Sequence, residues 1–107
     1  MPSRGAAVET IVATTKEERA AVMFHALGNP LRLAILHYIM AHPGCIGNDL
    51  VLRFGRAQAT ISQHLAVLRR ARLVVAERDG HMTCYAVNCD ALAALGAELR
   101  VLNTQVV

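Results

Sequence analysis

The sequence predicts a mainly α-helical domain of the α+β class: about five helices, with one two-stranded hairpin between the fourth and fifth. Three observations carry this. Apolar residues recur at helical spacing up to Leu73, broken by turn residues at Gly28-Asn29, Pro43-Gly44 and Gly55. After Leu73 the period changes, and 74–78 and 81–87 read as strands on either side of Asp79-Gly80, a strong two-residue hairpin signal. From 90 to 103 the helical period returns, with Leu92, Leu95, Leu99 and Leu102 spaced by three, four and three.

Residues 1–14 are mixed and small and read as a frayed N-terminal arm; the folded domain is placed at 15–107. The first helix starts at Thr15, a candidate N-cap, with Glu17 and Glu18 in the first turn, where the helix dipole favours acids. Ala20, Met23, Phe24 and Leu27 form its apolar stripe. Pro30 opens the second helix, at a position that tolerates proline. LRLAILHYIMAH is apolar nearly all round, the pattern of a central, buried helix. A short third helix spans roughly 47–54, with Asn48 or Asp49 near its start, and Gly55 ends it. The fourth begins within a few residues, near Ala57. Two helices joined by a tight glycine turn make a helix-turn-helix, and the basic hairpin that follows has the form of a wing. Asn88, Cys89 and Asp90 cap the last helix.

At 107 residues the chain can bury one core. Yet 54% of its residues are apolar and its mean hydropathy is +0.35, more than a small monomer readily hides. Self-association is the simplest outlet, and the leucine stripe of the last helix with Met23 of the first is the expected dimer surface. No apolar run reaches the roughly 18–20 residues of a membrane span. The N-terminus lacks the apolar core of a signal peptide, so a cytoplasmic protein is expected.

Charge is concentrated in one segment. Residues 53–78 hold six arginines against Glu77 alone, a net +5, whereas the rest of the chain is −2. A single positive field of this kind suits a protein that meets a polyanion through one face. The fourth helix fits that use. Ile61, Leu65 and Leu68 fall on its inner face; Ala59, Gln63, Ala66 and Arg70 fall opposite, and no acid occurs between Gly55 and Val75. Small side chains admit a close surface, an amide pairs with adenine, and arginine pairs with guanine or phosphate. The pattern predicts a recognition helix for double-stranded DNA; a surface helix with basic ends is the plainer alternative.

The strings FHALGNPLRLAIL (24–36), NDLVLRFGRAQATISQHLAVLRRARLV (48–74) and ERDGHMTCYAV (77–87) resemble the ArsR/SmtB family of bacterial winged helix-turn-helix repressors over most of residues 20–100. The resemblance implies a homodimer, joined through its first and last helices, on a pseudo-palindromic operator that is vacated when an inducer binds. It places Gln58, Ser62, Gln63 and His64 at or near DNA, with Arg78 and His81 on the wing. Together with the face of the fourth helix, the expected DNA-binding set is Arg56, Gln58, Ala59, Thr60, Ser62, Gln63, His64, Arg70, Arg78 and His81.

The chain departs from the family pattern in several places. Ala57 replaces the small polar cap of the recognition helix, a loss of roughly 1 kcal/mol. Arg56 replaces an apolar residue and offers a phosphate contact, and Arg72 replaces a glycine. The Cys-x-Cys pair of some family metal sensors is absent: Ile46-Gly47-Asn48 occupies that place, with Cys45 one residue earlier. The zinc- and nickel-sensing pattern is broken as well, since Asp90 is followed by Ala91 and Leu92 and the last helix has no histidine.

Three cysteines, Cys45, Cys84 and Cys89, are too few for a secreted disulfide framework. They are candidate sensor thiols for a metal or redox inducer, with Cys84 and Cys89 close enough in sequence to suggest a disulfide. The bland reading makes Cys84 a small buried hydrophobe and Cys45 a loop residue. His37 reads as packed or solvent-edge rather than a ligand, and neither a resident cofactor nor a metal site is expected. Two other functions compete, a winged helix that docks a protein partner and a thiol enzyme. The enzyme lacks both a Cys-x-x-Cys motif and a βαβ unit to carry it.

Overall fold

A computed structural model describes residues 14–104. The elements in chain order are α1 (Thr15–Leu27), α2 (Pro30–Ala41), β1 (Cys45–Ile46), α3 (Gly47–Phe54), α4 (Gln58–Arg70), β2 (Val74–Asp79), β3 (Met82–Val87) and α5 (Cys89–Thr104). The arm expected at 1–14 lies outside the described residues apart from Thr14, which belongs to the first helix.

Thr14, not Thr15, caps α1. Its Oγ1 accepts the Glu17 N–H at 3.1 Å, while its own N–H donates to Glu17 Oε1 at 2.9 Å. Threonine followed by glutamate three residues on is the capping-box pair, and a second threonine alongside hid which one starts the helix. Asn29 caps α2 by accepting the Arg32 N–H at 3.0 Å, with Pro30 in the first turn. Asp49 sits in the first turn of α3 and takes the Ile46 N–H at 2.8 Å. Gly55 closes α3 in the left-handed conformation, φ +63°, with its N–H on Val51 O.

The hairpin differs from the expectation in two ways. Asp79 pairs with Met82, so the two-residue loop is Gly80-His81, one position later than Asp79-Gly80. Gly80 takes φ +64° as the first loop residue, the place a glycine holds in a tight hairpin. The sheet also has three strands, not two, in the order β1-β3-β2. β1 pairs Cys45 with Tyr85 and Ile46 with Cys84; two residues are too short to leave a period in the sequence. Cys45 is therefore a buried strand residue, not part of a loop.

The core lies where α2, α3 and α4 meet the start of β2. Ile35, Ile39, Leu50, Ile61, Leu68 and Leu73 are its fully buried members. α2 is not buried all round: Leu33, His37 and Met40, four and three apart, form one exposed stripe. The end of α4 is unusual. The Leu73 N–H reaches Leu68 O at 3.0 Å and the Arg72 N–H reaches Arg69 O at 2.9 Å, a Schellman closure with Arg72 at φ +63°. That conformation favours glycine and costs an arginine roughly 1–2 kcal/mol. Asn88 holds it in place: its side-chain amide donates to Arg72 O at 2.9 Å and its own N–H to Leu73 O at 2.9 Å. The Asn88 Oδ1 also accepts the Ala91 N–H and starts α5.

Among the described residues no helix is long and apolar enough to cross a membrane.

Candidate nucleic-acid interface

α4 buries Ile61, Leu65 and Leu68 and turns its other side outward. Gln58, Ala59, Ser62, Gln63, Arg69 and Arg70 are exposed, whereas Thr60, His64 and Ala66 are half-buried on its flanks. Ala57, at the N-cap, makes no side-chain hydrogen bond to the first turn, so the first N–H groups of α4 stay open to an outside acceptor. Exposed Arg56 directly precedes them. A helix N-terminus with uncommitted N–H groups, a guanidinium beside it and small side chains around it is chemically matched to a phosphate backbone.

The exposed residues do not all face one way. Gln58 and Ser62 look into a cleft of about 250 Å³ between α4, the start of α3 and the first residues of β3, where Asn48, Met82 and Thr83 complete the wall. Gln63 and Ala59 lie outside that cleft. Arg70 is at the far end, about 18 Å along the axis from Gln58 at 1.5 Å per residue. There it borders a second hollow of about 550 Å³, with Arg19, Arg72 and Asn88. The face that reads as continuous in sequence is thus divided, with Gln58 to Gln63 at one end and Arg70 beside α1 and α5 at the other. On the wing, Arg78 and His81 are both exposed, and Arg78 Nη2 donates to Gly80 O at 3.5 Å, which folds the guanidinium over the hairpin loop.

His64 has a partner within the protein. Its Nδ1 lies 3.4 Å from Nη1 of Arg32, the one Lys, Arg, Asp or Glu residue of α2. Burial first, then the Arg32 and Arg56 guanidinium groups, hold the His64 pKa below the ordinary 6.5.

The three thiols are separated. Cys45 is buried, and burial, with Asp49 second, raises its pKa, the opposite of an activated thiol. Cys84 is half-buried in β3, opposite Ile46 and Glu77, and Cys89 is exposed as the first residue of α5. The β2–β3 ladder runs on to Asn88, so 84–88 is extended and spans about 13 Å. One further Cα step of about 3.8 Å leaves Cys89 some 9 Å or more from Cys84, beyond the roughly 7 Å a disulfide can bridge. The Cys84–Cys89 disulfide suggested by their spacing cannot form in this fold. Among the described residues no group of three His, Cys, Asp or Glu side chains gathers to hold a metal ion. Brief alkylation of the native protein should label Cys89 fastest, Cys84 more slowly and Cys45 only on unfolding. Peptide mass spectrometry reads the order, and early labelling of Cys45 would contradict its burial.

The expected dimer stripe is also divided. Met23 and Leu95 lie in the protomer's own core, and Leu92 packs against it. Leu99 and Leu102 are 52% and 57% exposed, and Val22 on α1 and Val101 on α5 join them as exposed apolar side chains. Lys16 ties α1 to α5 through Glu98 at 3.3 Å.

Comparison with known proteins places this arrangement. A family model described as MarR family matches residues 29–81, from α2 to the hairpin loop. The HTH-type transcriptional regulator YgaV of Escherichia coli is 32% identical over 83 residues, 78% of this chain and 84% of the relative. NolR from Sinorhizobium fredii superposes with a TM-score of 0.64 at 32% identity, covering 78% of this chain and 84% of that one. The chain belongs to the ArsR family of winged helix-turn-helix transcriptional regulators. In fold alone, this ArsR-family regulator matches an ArsR-like regulator from Rhodococcus with a TM-score of 0.78 at 21% identity over 86% of both chains. The relatives favour a DNA-binding regulator over a protein-docking module.

Proposed function

We propose that this regulator acts as a homodimer that represses transcription by seating two copies of α4 in successive major-groove segments of a pseudo-palindromic operator, in the cytoplasm where the DNA lies. The observation that carries this is the exposed N-terminal half of α4: Gln58, Ala59, Ser62 and Gln63 are left uncovered by the protomer, with Arg56 at their head. Gln63 reads base edges, while Arg56 and the wing residue Arg78 hold phosphates. His81, on the loop beside Arg78, extends the contact onto the backbone. Arg70, beside α1 and α5, contributes to the basic field rather than to base contacts. The exposed apolar residues Val22, Leu99, Val101 and Leu102 meet their counterparts across the two-fold axis, and half-sites about one helical turn apart follow from that symmetry. Release is assigned to an inducer that reaches the exposed Cys89 or half-buried Cys84.

The test uses a duplex that the parent chain selects from a random-sequence pool. Gln63→Ala should flatten the preference for that duplex over a scrambled one, by roughly 1–3 kcal/mol per lost bidentate contact. Arg56→Ala should weaken both duplexes alike and lower the slope of log K against log salt by about 2, roughly one for each subunit. Fluorescence anisotropy at several salt concentrations separates the two. Parental behaviour from both variants would remove α4 from the groove.

A further inference from the structure

The Arg32 side chain makes three hydrogen bonds. From the first turn of α2, its Nε donates to Ala26 O at 2.7 Å and its Nη2 to His25 O at 3.4 Å. Those carbonyls end α1, where a cation is favoured. Its remaining arm, Nη1, reaches His64 Nδ1 at 3.4 Å, in the middle of α4. One guanidinium therefore joins the helix that carries Val22 to the recognition helix.

The chemistry of that last contact fixes a proton. A guanidinium has donors only, so the imidazole must accept at Nδ1. A neutral imidazole that accepts at Nδ1 carries its hydrogen on Nε2, on the far side of the ring from Arg32. Among the described residues no protein group takes that Nε2–H. His64 is half-buried, on the flank of α4 next to the exposed Gln63.

We propose that Arg32, which does not lie on the exposed face of α4, is a positioning residue for DNA recognition: it locks His64 in the neutral Nε2–H tautomer and so supplies the recognition helix with one oriented, uncharged donor. This rests on the reading that α4 enters the groove. An uncharged donor suits a base edge or a single phosphate oxygen without adding to the non-specific attraction of the arginines. The charged groups acting on His64 are Arg32 from α2 and Arg56 from the turn between α3 and α4, both cations; α1 contributes the carbonyls of His25 and Ala26 through Arg32. Both cations oppose protonation, so the locked tautomer persists below the pH at which a free histidine would charge.

The experiment uses the full chain with 15N-labelled histidine. Long-range 1H–15N spectra near pH 7.5 should show His64 protonated at Nε2 alone, and Arg32→Gln should convert it to a tautomer mixture. The duplex selected by the parent should bind Arg32→Gln roughly 5- to 100-fold more weakly, the size of one net hydrogen bond lost in each of two subunits. His64→Gln, which keeps an acceptor for Arg32 but exchanges the fixed ring donor for a flexible amide, should bind more weakly than the parent and more tightly than His64→Leu. His64→Leu should fall as far as Arg32→Gln, and the double variant no further, which separates the coupling from any loss of stability. Thermal stability supplies an independent readout. A histidine whose folded pKa is depressed contributes stability in full above its unfolded value of 6.5 and loses it as pH falls. The parent should lose stability below that pH, and His64→Gln should lose less. A parent proton on Nδ1, or an unchanged tautomer in Arg32→Gln, overturns the proposal without reference to DNA. Parental binding by a folded His64→Leu, with Gln63→Ala weakened, overturns it as well. If Gln63→Ala also binds like the parent, the groove reading falls with it.

Discussion

Replacing Leu99 and Leu102 together with glutamate is expected to give a folded monomer that binds the selected duplex about 10²- to 10⁴-fold more weakly. Both side chains are more than half exposed, so neither supports the core of its own protomer. The whole stretch 99–104 is exposed, with Leu99, Val101 and Leu102 on it. An isolated helix end of that composition is costly in water, and the proposed dimer would cover it with a second copy. Four carboxylates brought to a two-fold axis repel, and each would lose water on association. The affinity loss follows from linkage: once one α4 is seated, its partner reaches the second half-site at millimolar effective concentration, and a monomer forfeits that gain. Light scattering after size exclusion gives the mass, circular dichroism the fold, and anisotropy the affinity. A persistent dimer would move the interface away from the end of α5. A monomer that binds like the parent would remove the two-fold operator.

The sequence made legible what is local. Pro30, the glycine at 55 and the 3.6-residue period of Ile61, Leu65 and Leu68 are each set by contacts within a few residues, and all appear in the structure. Features set by the rest of the chain were not legible. β1 exists because two residues happen to lie beside β3, and nothing in Cys45-Ile46 alone requires it. The leucine stripe of α5 has one period but two environments, since Leu95 is buried in the core of its own protomer and Leu102 is exposed. Helical spacing reports a face, not what covers it. The same holds for the site. Ala59 and Gln63 could be placed on the outer face of α4 from spacing, whereas the Arg32–His64 contact joins positions 32 residues apart and leaves no short-range trace. The single arginine in an otherwise apolar α2 was the available clue, because a lone charge among core residues needs a partner.

The register of α3 gives the sharpest test of the packing beneath the site. Leu50 and Leu52 lie two residues apart on that eight-residue helix, yet Leu50 is 0% exposed and Leu52 75%. Two residues of an α-helix are about 200° apart around the axis, so one leucine faces α4 and the core while the other faces solvent. Leu50→Ala should cost about 2–5 kcal/mol, from lost transfer energy and the cavity left among rigid neighbours. That is a large share of the roughly 5–15 kcal/mol that holds a small domain together. Its consequences should reach DNA binding, because Leu50 and α4's Ile61 and Leu68 belong to one buried cluster on which the recognition helix rests. Leu52→Ala should change stability by less than about 0.5 kcal/mol. Urea unfolding at fixed protein concentration measures both, with the midpoint moving for Leu50→Ala at constant slope. Equal losses from the two substitutions would mean that Leu52 is covered in the assembled protein, placing α3 at a protein interface as well as beneath the recognition helix.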